Sequence, residues 1–185
     1  MKLWQKNTAS LQEVETFTVG KDREMDLYLA AFDVLGSLAH TQMLESVGLL
    51  SAEDLSQLQS ALKKIYADIQ AGNFKLEEGT EDIHSQVELL LTRQLGDTGK
   101  KIHSARSRND QVLVDIRLYL RHELEEMVNT VVPFFELLQQ QSEKYKQHLL
   151  PGYTHLQLAM PSSFGLWFGA YAESLVDDLV TLKAA

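Results

Sequence analysis

The chain of 185 residues contains no cysteine. That excludes a disulfide framework, a Cys-ligated metal and a thiol nucleophile. Proline occurs only at Pro133, Pro151 and Pro161, and no glycine stands between Gly99 and Gly152. A stretch this poor in breakers favours one long helix. No run of 18 apolar residues appears, so no membrane-spanning helix is expected. The N-terminus lacks the charged-then-apolar pattern of a secretory signal. These absences lead to the expectation of a soluble cytoplasmic chain with no membrane partner. Basic charge is in deficit: 17 Lys and Arg against 26 Asp and Glu give a net charge of −9. General nucleic-acid binding is therefore not expected. The histidines at 40, 84, 103, 122, 148 and 155 show no metal-ligand spacing, so no metal is assigned. Gly96 and Gly99 alone do not make a phosphate loop.

What is present is helical periodicity. Ser10 with Glu13 fits a capping box before a short helix. From about Arg23 to Ser46, Leu29, Phe32, Leu35, Ala39 and Met43 step by three and four, which predicts an amphipathic helix ending near Gly48. Ser51-Ala-Glu-Asp54 is a second capping box. It opens a helix with Leu55, Leu58, Leu62, Ile65 and Ile69 on one face, closed by Gly72. Thr80 can cap the next helix, which runs through Ile83, Val87, Leu90 and Leu91 to Gly96. Then Val112, Ile116, Tyr119, Leu120, Leu124, Met127, Val128, Val131, Phe135 and Leu138 recur at helical steps. About 40 residues of helix would span roughly 60 Å, the length of a bundle spine. Pro133 should kink it, and Pro151-Gly152 should end it. Residues 152–160 read as loop. Pro161 is placed to begin a last helix carrying Trp167, Tyr171, Leu175, Leu179 and Leu182. No alternating stretch is long enough to predict a strand. The fold class is all-α, an N-terminal helical domain over 1–105 and the first part of a central helical bundle over 106–185. The last helix stops at Ala184-Ala185 without a cap, which predicts a chain that continues.

Chemistry concentrates at the start of the long helix. Residues 100–121 carry Lys100, Lys101, Arg106, Arg108, Arg117 and Arg121 against Asp110 and Asp115, a local positive excess in an acidic chain. Ser107, Arg108 and Asn109 offer hydroxyl, guanidinium and amide donors where helix N–H groups also point outward, a combination suited to carboxylates. A solvated N-cap is the plainer reading of a lone Ser-Arg pair. Thr154-His155 follows a helix-breaking Pro-Gly, and a loop His beside a hydroxyl can serve as a general base. A bare Thr-His pair is more often simple surface. His84, one helical turn from Glu88, is more often a helix-face pair than a site. If the Ser107–Asn109 cluster and the Thr-His loop belong to one site, the helix between them requires that it be assembled from different subunits.

The residues His103-Ser-Ala-Arg-Ser-Arg-Asn-Asp-Gln-Val112 and Pro151-Gly-Tyr-Thr-His-Leu-Gln157 resemble the first two signature regions of the argininosuccinate lyase family, in the fumarase/aspartase superfamily. Glu81-Asp82-Ile83-His84 with Glu88, and Gly36-Ser-Leu-Ala-His40, resemble the family too, and the similarity runs along nearly the whole chain. The resemblance implies a helical homotetramer with active sites shared between subunits. It implies cleavage of argininosuccinate to arginine and fumarate in arginine biosynthesis, without a cofactor. Carried over by motif, Asn109 and Thr154 contact substrate, and Ser107 and Arg108 line the site. His155 matches the proton acceptor, either as the base itself or as the group that orients a serine base. His84 and Gln157 are candidates for the shell behind these.

The chain departs from the family's pattern in places. Leu3-Trp4 is followed by Gln5-Lys6-Asn7 rather than Gly-Gly-Arg, Phe17 to Asp22 replaces the usual Asn-x-Ser segment, and Leu158 and Met160 stand where Arg and Gln are frequent. The third signature, a Gly-Ser-Ser loop with the catalytic serine, is absent from these 185 residues. The chain is therefore expected to be inactive alone. Two alternatives stand beside this reading: another superfamily lyase such as adenylosuccinate lyase, against which the Arg-Ser-Arg-Asn-Asp-Gln block argues, and a non-catalytic helical oligomerisation scaffold.

Overall fold

A computed structural model describes residue 17, residues 20–77 and residues 79–184. The capping box expected at Ser10 and Glu13, and Leu3-Trp4, lie outside the described residues. The element order is α1 (Asp22–Asp26), a 3₁₀ turn (Leu27–Leu29), α2 (Ala30–Ser46), α3 (Ala52–Gln70), α4 (Ile83–Leu95), α5 (Asp97–Lys100), a 3₁₀ turn (Lys101–His103), α6 (Arg108–Lys144), β1 (Leu149–Thr154), β2 (Gln157–Ser163) and α7 (Phe164–Ala184). The chain divides into two compact units, Met1–Leu120 and Arg121–Ala185.

In the first unit, helix starts and stops follow local chemistry. Ser51 and Asp54 form the expected capping box, each side chain bonding the other's backbone N–H. Asp54 also receives Lys101 Nζ at 2.8 Å and Thr98 Oγ1 at 3.1 Å, so one carboxylate both caps α3 and fastens the segment after α4. Those contacts hold its carboxyl well below the usual aspartate range, the Lys101 bond first among them. The cap of α4 is Asp82, not Thr80: Asp82 Oδ1 accepts from Ser85 N at 2.7 Å. Thr80 bonds Glu77 O and Gln86 Oε1 instead. The core gathers Val34, Leu44, Leu58, Leu62, Ile65, Val87, Leu91 and Ile102. Each full burial of such a side chain is worth about 1.5–3 kcal/mol. At Gly99 the chain passes so close to α4 that an added Cβ would lie 2.4 Å from Leu91 O.

The face of α2 differs from expectation. Leu35 and Met43 are exposed, whereas Ala30, Asp33, Val34, Ser37, Thr41 and Leu44 are buried. The inward stripe is thus partly polar, because its middle meets a polar cluster rather than the apolar core.

The long helix α6 is one continuous run of 37 residues that keeps Pro133 inside it. In the second unit, Gly165 of α7 lies directly on α6: an added Cβ would meet Ser142 O at 2.7 Å and Lys146 Cα at 2.6 Å. Ser142 Oγ donates to Gly165 O at 2.7 Å. Leu138 and Ala172 are buried here, and Tyr145 meets Phe168 with ring centroids 6.2 Å apart.

The expected loop at 152–160 is a β-hairpin. Leu149 pairs with Ser163, Pro151 with Pro161, Tyr153 with Leu158 and Thr154 with Gln157, antiparallel, with an irregularity between Pro151 and Tyr153. A two-stranded ribbon has only edges, so both prolines are tolerated. Gly152 allows the close approach of Met160 O, 2.5 Å from where a Cβ would be. The hairpin takes Pro161, so α7 begins at Phe164, where Ser163 Oγ accepts from Leu166 N at 3.1 Å.

Candidate functional site

Ser107 is the N-cap of α6. Its backbone N–H donates to Asp110 Oδ2 at 2.8 Å, and its hydroxyl accepts from Asp110 N at 3.4 Å. Those bonds hold the Asp110 carboxyl below its ordinary value. The chain reaches this cap through Ala105 at φ 57°. The capping reading of Ser107 is therefore realised, and its hydroxyl is engaged with backbone.

Arg108, the first residue of α6, is aimed at the start of α4. Its Nη2 donates to Ser85 Oγ at 3.2 Å, and its Nε lies 3.5 Å from Asp82 Oδ2. Arg108 thus joins the two stretches that sequence reasoning singled out, the Arg-Ser-Arg-Asn block and Glu81–His84. Asn109 is exposed beside it. Asn109 therefore presents its amide to solvent at a helix N-terminus with a held guanidinium next to it, an arrangement that accepts anions.

His84 is buried rather than displayed on a helix face. Its Nδ1 is 2.8 Å from Asp33 Oδ1 and 3.6 Å from Asp115 Oδ2. Gln111 Nε2 donates to the same Asp33 oxygen at 2.9 Å. Arg106 Nη2 donates to Ser37 Oγ at 3.2 Å. Burial alone would lower the His84 pKa, but the Asp33 hydrogen bond and charge outweigh it, and the net shift is upward. Asp115 is pushed up to about 7 by burial and by the neighbouring Asp33 charge. Burial lowers Arg106. Among the described residues, Asp33, His84 and Asp115 are the group whose ligand atoms come close enough to hold a metal, within 4.8 Å of one another. Sequence reasoning did not single out Asp33, and it counted Arg106 and Asp115 only as local charge, without their burial beside Gln111. The available signal was Asp33 followed by Ser37 and Thr41, polar residues repeating at four on one helical stripe.

Thr154, His155 and Gln157 belong to the second unit. Thr154 and Gln157 are paired across the hairpin, and His155 with Leu156 forms its two-residue turn. Both turn residues have positive φ, 50° and 65°, as a type I′ turn requires. Positive φ is unusual for residues with a Cβ and often marks function. All four residues of the turn are exposed. Elsewhere in this unit, a groove of about 510 Å³ between α6 and α7 is lined by Glu143, Glu173 and Asp177, the wrong charge for an anionic ligand. Another of about 620 Å³ is mainly apolar, with Leu124, Val128, Leu179 and Leu182. No helix among the described residues is long and apolar enough to cross a membrane.

The chain is 64% identical over 184 residues to an argininosuccinate lyase of Bacteroides fragilis, covering 100% of this chain and 41% of that protein. It is 65% identical to that of Parabacteroides distasonis over the same span. It is 40% identical to that of Thermotoga neapolitana over 182 residues, 98% of this chain and 46% of that one. The chain thus spans about two fifths of the length of these Bacteroides and Parabacteroides relatives. Among solved structures, a fumarate lyase:delta crystallin from Brucella melitensis matches with a TM-score of 0.72 at 16% identity, over 92% of this chain and 43% of that one. An EDDS lyase variant with bound fumarate matches at 0.67 and 24% identity, over 94% and 34%. These likenesses show the fold, a mostly helical one. A family model described as lyase matches residues 2–185, and the chain belongs to that lyase family.

Proposed function

We propose that this chain is the N-terminal part of an argininosuccinate lyase, which splits argininosuccinate reversibly into arginine and fumarate in arginine biosynthesis. The observation that carries the reading is 64% identity to enzymes of that name along the whole chain, both signature stretches included. The site supports it. Arg108 and Asn109 present donors suited to the carboxylates of such a substrate. Elimination beside a carboxylate builds up a dianion before the C–N bond breaks, and fixed donors act most strongly where charge develops. In this reading Asn109 and Thr154 contact substrate, Ser107 and Arg108 line the site, and His155 takes the proton or orients the serine that does. His84 and Gln157 stand behind them. No cofactor enters. The working form is a cytoplasmic homotetramer with sites shared between subunits, in which residues 1–105 form an N-terminal domain and 106–185 begin the central bundle. The extensive exposed apolar surface of α6 and α7 supports such an assembly.

The purified chain alone should release no fumarate from argininosuccinate. Co-expression with the remaining three fifths of the Bacteroides fragilis enzyme should restore release. Fumarate production by the chain alone refutes the need for the remainder. Failure of the soluble co-expressed pair to turn over refutes the lyase reading.

A further inference from the structure

The strongest feature outside the proposed substrate contacts is the polar cluster buried between α2, α4 and the start of α6. Asp33 and Asp115 are each 1% exposed and His84 4%. Asp33 Oδ1 accepts from His84 on α4 and from Gln111 on α6, so one oxygen joins three helices. Asp115 packs on the same helix: a Cβ added to Gly36 of α2 would be 3.5 Å from Asp115 Oδ1. Asp33 Oδ2, Asp115 Oδ2 and Gln111 Oε1 are buried acceptors without a hydrogen-bond partner. Buried acceptors that lack a donor are better satisfied when one of the two carboxylates carries a proton and becomes a donor.

Charge points the same way. Two ionised aspartates against one arginine and a neutral histidine leave the cluster at −1. Burying a net charge is costly, and groups in such a position change protonation instead. One proton, on His84 or on Asp115, brings the cluster to zero. A metal ion fits worse. It would compete with the two donors already on Asp33 Oδ1 and sit beside the Arg106 guanidinium, whose charge acts on both aspartates.

We propose that Asp33, His84 and Asp115 share a proton that clamps α2 and α4 to the first turns of α6, so that the positions of Arg108 and Asn109 depend on the protonation of this buried cluster. Gln111 and Asp115 lie one and two turns into the helix that Arg108 and Asn109 begin. His84 lies beside Ser85, which Arg108 contacts. A cavity of about 100 Å³ bordered by Asp33, Gln111 and Asp115 also touches His40 and the exposed Asp110, which gives protons a route to solvent. The charged and titratable groups that face the cluster are Asp26 from α1, Asp33 and His40 from α2, and Asp82, His84 and Glu88 from α4. His103, Arg106, Arg108, Asp110 and Asp115 face it from the segment that opens α6. The raised values of Asp115 and His84 agree in direction. The stability that Asp115 supplies is full only below its ordinary value near 4 and is lost as pH rises to about 7, and that of His84 is lost as pH rises from its ordinary value near 6.5 through its raised one.

The clamp stands without the lyase reading; only its consequence for substrate rests on it. The test therefore uses the 185-residue chain without substrate. Its Tm should fall between pH 5.5 and 8.5. Asp115→Asn, neutral at every pH, should at least halve that fall and melt higher than the parent chain at pH 8.5. An unchanged slope in a folded Asp115→Asn chain overturns the proposal. Should that variant not fold, the parent chain still decides. NMR titration of the His84 imidazole and of the Arg108 and Asn109 amides should give one shared midpoint near neutrality. Amides that do not move with His84 overturn it. So does a Tm raised by added Zn²⁺ or Mg²⁺ and lowered by EDTA, which assigns the cluster to a metal.

Discussion

At the scale of single residues, two positions carry more than their size suggests. Gly165 is needed because α7 touches the α6 backbone there, not because of its φ. A methyl group must push Ser142 or Lys146 away, so Gly165→Ala is expected to cost about 1–3 kcal/mol in a urea melt, with no change in residues 20–120. Asp33 is the reverse case, a polar residue whose loss strands its neighbours. Asp33→Ala leaves His84 Nδ1 and Gln111 Nε2 without their acceptor. Breaking a buried charged network from one side costs about 3–5 kcal/mol. The expected outcome is a lower denaturation midpoint and a Tm that no longer falls as pH rises through neutrality. An Asp33→Ala chain as stable as its parent would show the cluster to be incidental.

At the scale of elements, the helices were readable because their signals are local. Ser51-x-x-Asp54 is a cap that needs nothing from the rest of the molecule, and Ser51→Ala should cost about 1 kcal/mol by the loss of that cap. The hairpin was not readable. Its turn is His-Leu where Asn-Gly is the usual pair, its strands contain Pro151 and Pro161, and residues 153–161 are exposed on both faces, so no buried face imposes a period of two. The turn should therefore be strained. A left-handed residue with a Cβ costs roughly 1–2 kcal/mol, and Leu156 is 97% exposed, so glycine there forfeits little packing. After the added freedom of the unfolded chain is subtracted, Leu156→Gly is expected to stabilise the protein by about 0.5–1 kcal/mol, seen as a higher denaturation midpoint. If the tight geometry at His155 serves proton transfer, the same variant in the co-expressed assembly should be more stable and slower.

At the scale of the molecule, the exposed apolar surface dominates. Leu113, Ile116, Leu120, Leu124, Met127, Val132, Phe134 and Leu137 of α6 are exposed, as are Leu166, Trp167, Tyr171, Val176 and Val180 of α7 and Leu149, Tyr153, Leu158 and Met160 of the hairpin. Periodicity alone marked several of these residues as core. The pattern was right about the helix and right that the stripe is apolar. It could not say that this chain's own fold leaves much of the stripe exposed. Surfaces of this extent mark association. Light scattering coupled to size exclusion should find the chain self-associated at micromolar concentration, binding an apolar dye. A monodisperse monomer without dye binding would refute that expectation.

The sequence by itself determined the helical class, the start of α6 and the identity of its polar block, because caps and periodicity act over a few residues. It also singled out Arg108, Asn109, Thr154 and His155 as candidates through motifs that are contiguous in the chain. Only the tertiary structure decided that His84 turns inward to Asp33, that Arg108 is held by Asp82 and Ser85, and that His155 sits in a hairpin turn. The partners in the first two cases stand 51 and about 25 residues apart, and no local pattern encodes contacts across that separation. Burial then altered the chemistry. An aspartate that a sequence shows as ordinary surface charge becomes, between three helices, a group that holds its proton to about pH 7.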